Sequence, residues 1–461
     1  MIRLLALAAT LFGLLLASTT LFTDTRAYAA GGDLLWQDHF DLAAGEDVAR
    51  AVAAGNGRVV AVGSAQNAAG NSDFLVRCYD AKTGALLWKD IVDVAGGDDV
   101  ATSVVVDDNR VIVAGTGIDA TGGRRLLLRV YVAQTGQLAW EDRPPFISVG
   151  GLAADGPRVV VAGTSADAAG NSRLAVRAYN AKSGVLDWQD NPPPPSGFVE
   201  FNGAIRGVAV HDERVFVAGT VRMTPPSFNP TCIIRAYVAR NGKLDWESQQ
   251  GPPCSATAIA TDGRNVVLAA LGGAGLDDFL ALSFDAETGQ FLWQNRTFVG
   301  TGFDNEAIAV DIERHTAFVG GWVRWLPGRD NQEALLVRAY NTQTGVIDWE
   351  DQFPGPNPFV DRCLCQAHDL TADKGRVYAV GSAVYGFGHG PNTWIVRSYN
   401  AERGDLIWSD DFAPVGGTGS NAFAIQGARA VAAHGGRVFV VGSGINASGN
   451  ADFIVRAYDA R

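Results

Sequence analysis

Eight tryptophans, Trp36, Trp88, Trp140, Trp188, Trp246, Trp293, Trp349 and Trp408, each follow a glycine by four residues: Gly32, Gly84, Gly136, Gly184, Gly242, Gly289, Gly345 and Gly404. Successive tryptophans are 52, 52, 48, 58, 47, 56 and 59 residues apart. A period near fifty residues that runs the length of a chain means one supersecondary unit stacked on copies of itself. Within a unit, four short apolar runs alternate with turn residues. In the first, DVARAVAA, RVVAVGSA, DFLVRCYD and ALLWKD are split by GNG, QNAAGNS and AKTG. Runs of this length, rich in Val and Leu and bounded by Gly, Asn and Asp, predict strands, and nothing has the length and 3.6-residue period of a helix.

The expected fold class is therefore all-β: an eight-bladed β-propeller of four-stranded antiparallel blades, whose radial repetition leaves only short protected edges. The last unit stops at Tyr458-Asp459-Ala460-Arg461, where its sisters continue into a Gly and a Trp strand. Ala30 to Trp36 supplies that strand, so the ring is expected to close by the N-terminal strand completing the last blade. Residues 30–461 then form one domain.

Ahead of it, MIRLLALAATLFGLLLA sets Arg3 before an apolar run and leads to Ala27-Tyr28-Ala29, the pattern of a signal peptide over residues 1–29. No cysteine follows the run to carry a lipid, and no transmembrane segment is expected after its removal. The chain carries a net charge of -12, or -13 without the leader. That balance opposes nucleic acid and anionic lipid, which need a positive field. Export, with a secreted or periplasmic location, suits the five cysteines: Cys363 and Cys365 are expected to pair, Cys232 with Cys254 forms a second pair, and Cys78 is the buried leftover.

The segment Asp80 to Trp88 and its sisters Asn180 to Trp188, Asp285 to Trp293 and Asn341 to Trp349 resemble the tryptophan-docking repeat of the PQQ-like, quinoprotein-type propellers. The resemblance covers the whole mature chain. It implies the fold of the pyrroloquinoline quinone (PQQ) dehydrogenases, shared with the non-enzymatic propeller lipoprotein of the outer-membrane barrel-assembly machinery. One fold with such different functions leaves the function to be argued from a site. Quinone-binding relatives use a disulfide between adjacent cysteines, whereas here Leu364 separates Cys363 from Cys365. No calcium ligand set or catalytic aspartate falls on the family's motif, so no cofactor is predicted. PQQ with calcium belongs only to the alternative, a quinoprotein oxidoreductase.

Residues shared by all units are expected to be scaffold. Trp88 and its sisters should cover the flank of the next blade, with the indole N–H on a backbone acceptor. Arg77, Arg129, Arg177, Arg235, Arg338, Arg397 and Arg456 recur in seven units, with Leu282 in the eighth. Counting around the hairpin sets Arg77 opposite Trp88 and predicts an ion pair with Asp90 of its own blade. Ser248, where the Arg235 unit should carry an acid, breaks that rule. The loop Asn67 to Asp73, repeated at Asp167 to Arg173 and Asn446 to Asp452, is read as a plain turn rather than a calcium loop.

Function is expected where the units differ. Three loops between second and third strands lengthen, over Val221 to Thr231, Trp322 to Glu333 and Val384 to Trp394, and bring aromatics to one face. Phe228, Trp322, Trp325, Tyr385, Phe387 and Trp394 are the candidate partner-binding residues, for a protein or a glycan. On the innermost strands, Arg50, Thr102, Gly150, Arg206, Ala256, Ile308, His368 and Arg429 align. Arg50, Arg206, His368 and Arg429 form a candidate anion site, unless neighbouring acids such as Asp47, Asp99 and Asp369 pair with them. The leading expectation is an exported, monomeric, non-catalytic scaffold.

Overall fold

The structure is a computed structural model that describes residues 31–43, 45–225, 227, 229–249, 251–273, 278–297, 305–324, 332–355, 363–385, 392–414 and 426–461, with the backbone alone at 199–204. Its described residues contain strands and no helix. Blade 1 is the antiparallel meander Val48–Gly55, Arg58–Gln66, Ser72–Asp80 and Leu86–Val92. Seven further meanders follow, with innermost strands Val100–Asp107, Ser148–Asp155, Phe198–His211, Cys254–Thr261, Glu306–Glu313, Cys363–Asp373 and Gly427–His434. Each innermost strand contacts that of the next blade, and the eighth contacts the first, so the ring closes. The strand Leu34–Phe40 pairs antiparallel with Ala451–Asp459 and completes blade 8, as expected.

Turn chemistry follows the sequence. Asn56 and Gly57 both have positive φ, 50° and 74°, the geometry of a two-residue hairpin that matches strand twist. Asp80 Oδ1 accepts hydrogen bonds from the Lys82 and Thr83 amides, which holds the turn that leads to Gly84. The repeated glycine has a second reason to be there. At Gly136 (φ +71°) a Cβ would lie 2.6 Å from the ring of Trp88, which belongs to the preceding blade. Seven of the eight indoles then donate to a backbone carbonyl within that turn, ahead of the glycine: Trp36 to Ala81, Trp88 to Ala133, Trp140 to Ala181, Trp188 to Ala239, Trp246 to Ala286, Trp293 to Thr342 and Trp349 to Ala401, at 2.7–3.2 Å.

The arginines correct the sequence reading. Arg77 lies opposite Lys89, and its ion pair reaches back to Asp38 of blade 8 (2.9 Å), where the Tyr79 hydroxyl also donates (2.8 Å). The same clamp joins Arg129 to Asp90, Arg177 to Asp142, Arg235 to Asp190, Arg397 to Asp351 and Arg456 to Asp410, always across a blade interface. Side-chain length decides it: the guanidinium overshoots its own hairpin and lies over the neighbour's flank. At three interfaces it also covers a ring, with Arg77 over Phe40, Arg397 over Phe353 and Arg456 over Phe412 at 3.8–4.2 Å.

Two disulfides are present, Cys232–Cys254 between blades 4 and 5 and Cys363–Cys365 within blade 7. Cys78 is free and fully buried, and burial pushes its thiol up to about 12. The repeated loop is a turn: Asn67 Oδ1 accepts from the Ala69 amide, and Asn67 and Asn446 donate to Asp73 and Asp452.

Candidate functional site: an axial ring and a variable face

Every innermost strand carries a β-bulge at the same place. In blade 1, Ala49 pairs with Gly63 and Ala51 with Val62, so Arg50 is the extra residue. The corresponding residues are Thr102, Gly150, Arg206, Thr257, Ile308, His368 and Arg429. Seven of the eight aligned positions agree with the sequence reading; the fifth is Thr257, not Ala256. A bulge strengthens local twist and frees one residue from the alternation of the sheet. The second strand shows why it forms there. A Cβ at Gly63 would sit 1.9 Å from the Val48 carbonyl oxygen, and the counterparts Gly115, Gly163, Gly321, Gly381 and Gly442 meet the same obstacle within 2.0 Å. Glycine thus lets the bulged strand approach.

The four predicted ionic residues all fall on this ring, but they are not alike. His368 Nδ1 lies 2.9 Å from the Ala428 carbonyl, and its Nε2 faces the Ser382 hydroxyl at 3.4 Å. The carbonyl fixes the proton on Nδ1, so Nε2 accepts. Burial, then the charge of Arg429, push the imidazole down to about 4 against that hydrogen bond. His368 is therefore neutral at pH 7 and adds no positive charge, a correction to its place in the anion set. Thr257 makes the equivalent reach, to the carbonyl of Ala307. Arg50 and Arg429 sit on neighbouring blades 1 and 8. Burial, then the like charge of Arg50, hold the Arg429 guanidinium below its ordinary value, and burial does the same to Arg50. Arg206 belongs to blade 4, across the ring from them, and is exposed.

The acids on these strands do not neutralise Arg50. Fully buried Asp47 accepts from the amides of Leu42 and Gln66, and burial raises its carboxyl to about 6 despite both bonds. Asp99 repeats this with Val94 and Ile118, and Asn305 accepts from Arg324. Asp369 accepts from the Leu370 and Val431 amides and is raised to about 7, chiefly by burial. These side chains staple loops and blades. Local ion pairing, the alternative weighed from sequence, does not occur for Arg50, which makes no hydrogen bond or ion pair among the described residues.

On the variable face, Phe228, Trp325 and Phe387 lie outside the described residues. Trp322 is half-buried on the second strand of blade 6, and its sister positions carry Ser64, Thr116, Thr164, Thr220, Leu271, Ser382 and Ser443. Its indole N–H and the hydroxyl of half-buried Tyr385 have no hydrogen-bond partner among the described residues. Trp394 does not belong with them. It is fully buried, donates to the Ser443 carbonyl at 3.1 Å and meets Phe412 edge-on. Its strand begins two residues earlier than the sequence reading placed it, so Trp394 takes the core position that Phe74 and Phe453 fill elsewhere.

A closed ring of four-stranded blades joined by docked tryptophans defines the class, a quinoprotein-type eight-bladed propeller. The family model described as outer membrane protein assembly factor BamB matches residues 23–222, 72–273 and 232–452, and the chain belongs to that family. Among solved structures, BamB from Moraxella catarrhalis is similar at 14% identity over 92% of this chain and 97% of that one (TM-score 0.50). The quinohemoprotein alcohol dehydrogenase from Comamonas testosteroni is similar at 12% identity over 94% and 77% (TM-score 0.59), and a europium-containing methanol dehydrogenase at 11% over 94% of each (TM-score 0.55). No curated protein sequence matches. These likenesses show the fold.

The fold family implies PQQ and calcium, and the residues do not fit the metal. Among the described residues no three His, Cys, Asp or Glu side chains gather to hold an ion. The axial carboxylates already accept backbone N–H groups, and the charged bulge residues are arginines. No helix among the described residues is long and apolar enough to cross a membrane.

Proposed function

We propose that this is an exported, non-catalytic and monomeric propeller that binds a protein partner through the face bearing its long loops. The observation that carries the reading is Trp322: a large, half-buried aromatic beside the long loops, where six sister blades place Ser or Thr and the fifth places Leu271. Tyr385, also half-buried, ends the second strand of blade 7 at the same face. Aromatic side chains with a polar handle bury much area at little entropic cost, which suits a partner surface. Membership of a family named for outer-membrane protein assembly and the leader-like N-terminus favour a periplasmic site of action, with secretion as the alternative.

The test is capture of partners from the native envelope by the mature protein and by a variant carrying Trp322→Thr, Trp325→Ser, Phe228→Ser and Phe387→Ser. Loss of a wild-type partner with unchanged circular dichroism supports the reading, and identical capture overturns it. Binding on a carbohydrate array but not to protein would move the ligand class to glycans. Reduction of a dye by protein supplied with PQQ, calcium and an alcohol or aldose would overturn the non-catalytic reading.

A further inference from the structure

The charged groups of the innermost strands cluster unevenly around the axis. At the level of the bulges, blades 8 and 1 offer Arg429 and Arg50 side by side, whereas blades 2, 3, 5 and 6 offer Thr102, Gly150, Thr257 and Ile308. Arg50 is exposed although it stands on an innermost strand, so the water that reaches it is that of the axial channel. Packed protein nonetheless surrounds it closely enough to lower its proton affinity. Like charges in such a place repel, and folding has not placed a counter-charge on Arg50: Asp47, three residues before it, is committed to two backbone amides. Asp369 and Asp311, on blades 7 and 6, are likewise committed to the Val431 and Ala372 amides. Two unlike strategies are therefore visible on the same strands, with carboxylates committed to architecture and the Arg50 guanidinium facing water.

We propose that the axial channel holds a small oxyanion, a phosphate or a carboxylate, between Arg50 and Arg429. Guanidinium groups present N–H donors in a planar fork that matches two oxygens of such a group, and low-dielectric walls strengthen the attraction. A bound anion also removes the repulsion between the two cations. His368 borders the site as a neutral group whose Nδ1 proton stays on the Ala428 carbonyl, and Arg206, across the ring, is not part of it. The proposal does not depend on the partner reading.

Isothermal titration and ³¹P line broadening with inorganic phosphate, and titration with citrate, at constant ionic strength, read binding directly and separate the two anion sources. Wild-type protein is expected to bind at least one of them saturably in a 1:1 ratio. Arg50→Gln and Arg429→Gln should each weaken binding by about tenfold or more, while Arg206→Gln leaves it within about twofold. A purely structural role for Arg50 would make Arg50→Gln less stable; relief of like-charge repulsion makes it as stable as wild type, or more so, in anion-free buffer. Failure of both anions to bind, or equal binding by wild type and Arg50→Gln, overturns the proposal.

Discussion

Asp38 lies in the strand that closes the ring, and its removal should unfasten blade 8 from blade 1. Its carboxylate takes the Arg77 guanidinium at 2.9 Å and the Tyr79 hydroxyl at 2.8 Å; the arginine side chain is 6% exposed and the carboxylate 31%. Asp38→Ala leaves a buried cation unpaired, a change that costs about 3–5 kcal/mol in a dry interior. Water reaches nearly a third of the carboxylate, so roughly half of that is expected here. The tyrosine hydroxyl, still accepting from Arg77 Nε, loses its own acceptor, for about 1 kcal/mol more. The sum, about 2.5–3.5 kcal/mol, should appear in equilibrium urea unfolding followed by tryptophan fluorescence, at an unchanged m-value. Arg77→Leu, the residue that blade 5 carries as Leu282, completes a double-mutant cycle, with an expected coupling energy of about 1–2 kcal/mol. A loss below about 0.5 kcal/mol for Asp38→Ala, or no coupling, would refute the clamp.

Gly136→Ala forces a side chain into positive φ and against the Trp88 ring, so a loss of about 2–4 kcal/mol is expected in the same assay, larger than for Gly57→Ala, whose Cβ meets nothing within 4 Å. Burial of the Cys78 thiol predicts no reaction with a thiol reagent in the native protein, and one equivalent per chain on unfolding with both disulfides intact. His368, held near 4, contributes stability that is present above its unfolded value of 6.5 and lost as pH falls from 6.5 to 4, by up to about 3 kcal/mol. Asp369, raised to about 7, works the other way, losing stability as pH rises from 3.8 to 7. Comparing urea midpoints of wild type and His368→Asn at pH 4.5 and 7 isolates the first effect: the wild type should lose more on acidification than the variant.

The blade repeat, its hairpins and the closing strand were legible because tryptophan, glycine and turn residues act within a few positions of one another. What lay between blades was misread by one unit. Ser248 looks like a broken rule only while Arg235 is matched to its own hairpin; across the interface Ser248 is the partner position of Leu282, and both lack charge together. Asn295 faces Arg338 in the same sense, and Arg338 turns instead to Glu350 and the Thr297 hydroxyl. Trp394 was misplaced because a long loop hides where pairing resumes, and one strand position decides between core and rim. The axial ring was legible to within one residue, yet its cause, a bulge opposite a glycine, is a pairing between strands that no single strand displays.

That bulge also separates two kinds of inheritance. Residues on either side of it are bound by blade packing, where a change in volume is felt at once. The bulged residue is freed from that packing to differing degrees: Arg50 faces the channel, Thr102, Thr257 and His368 also bond backbone carbonyls, and at Gly150 a Cβ would strike the Ile205 carbonyl 1.8 Å away. The bulge thus carries different side chains on one unchanged ring, as the arginine, threonine, isoleucine and histidine that occupy it show. The lining of the axis is a replaceable text printed on a fixed page.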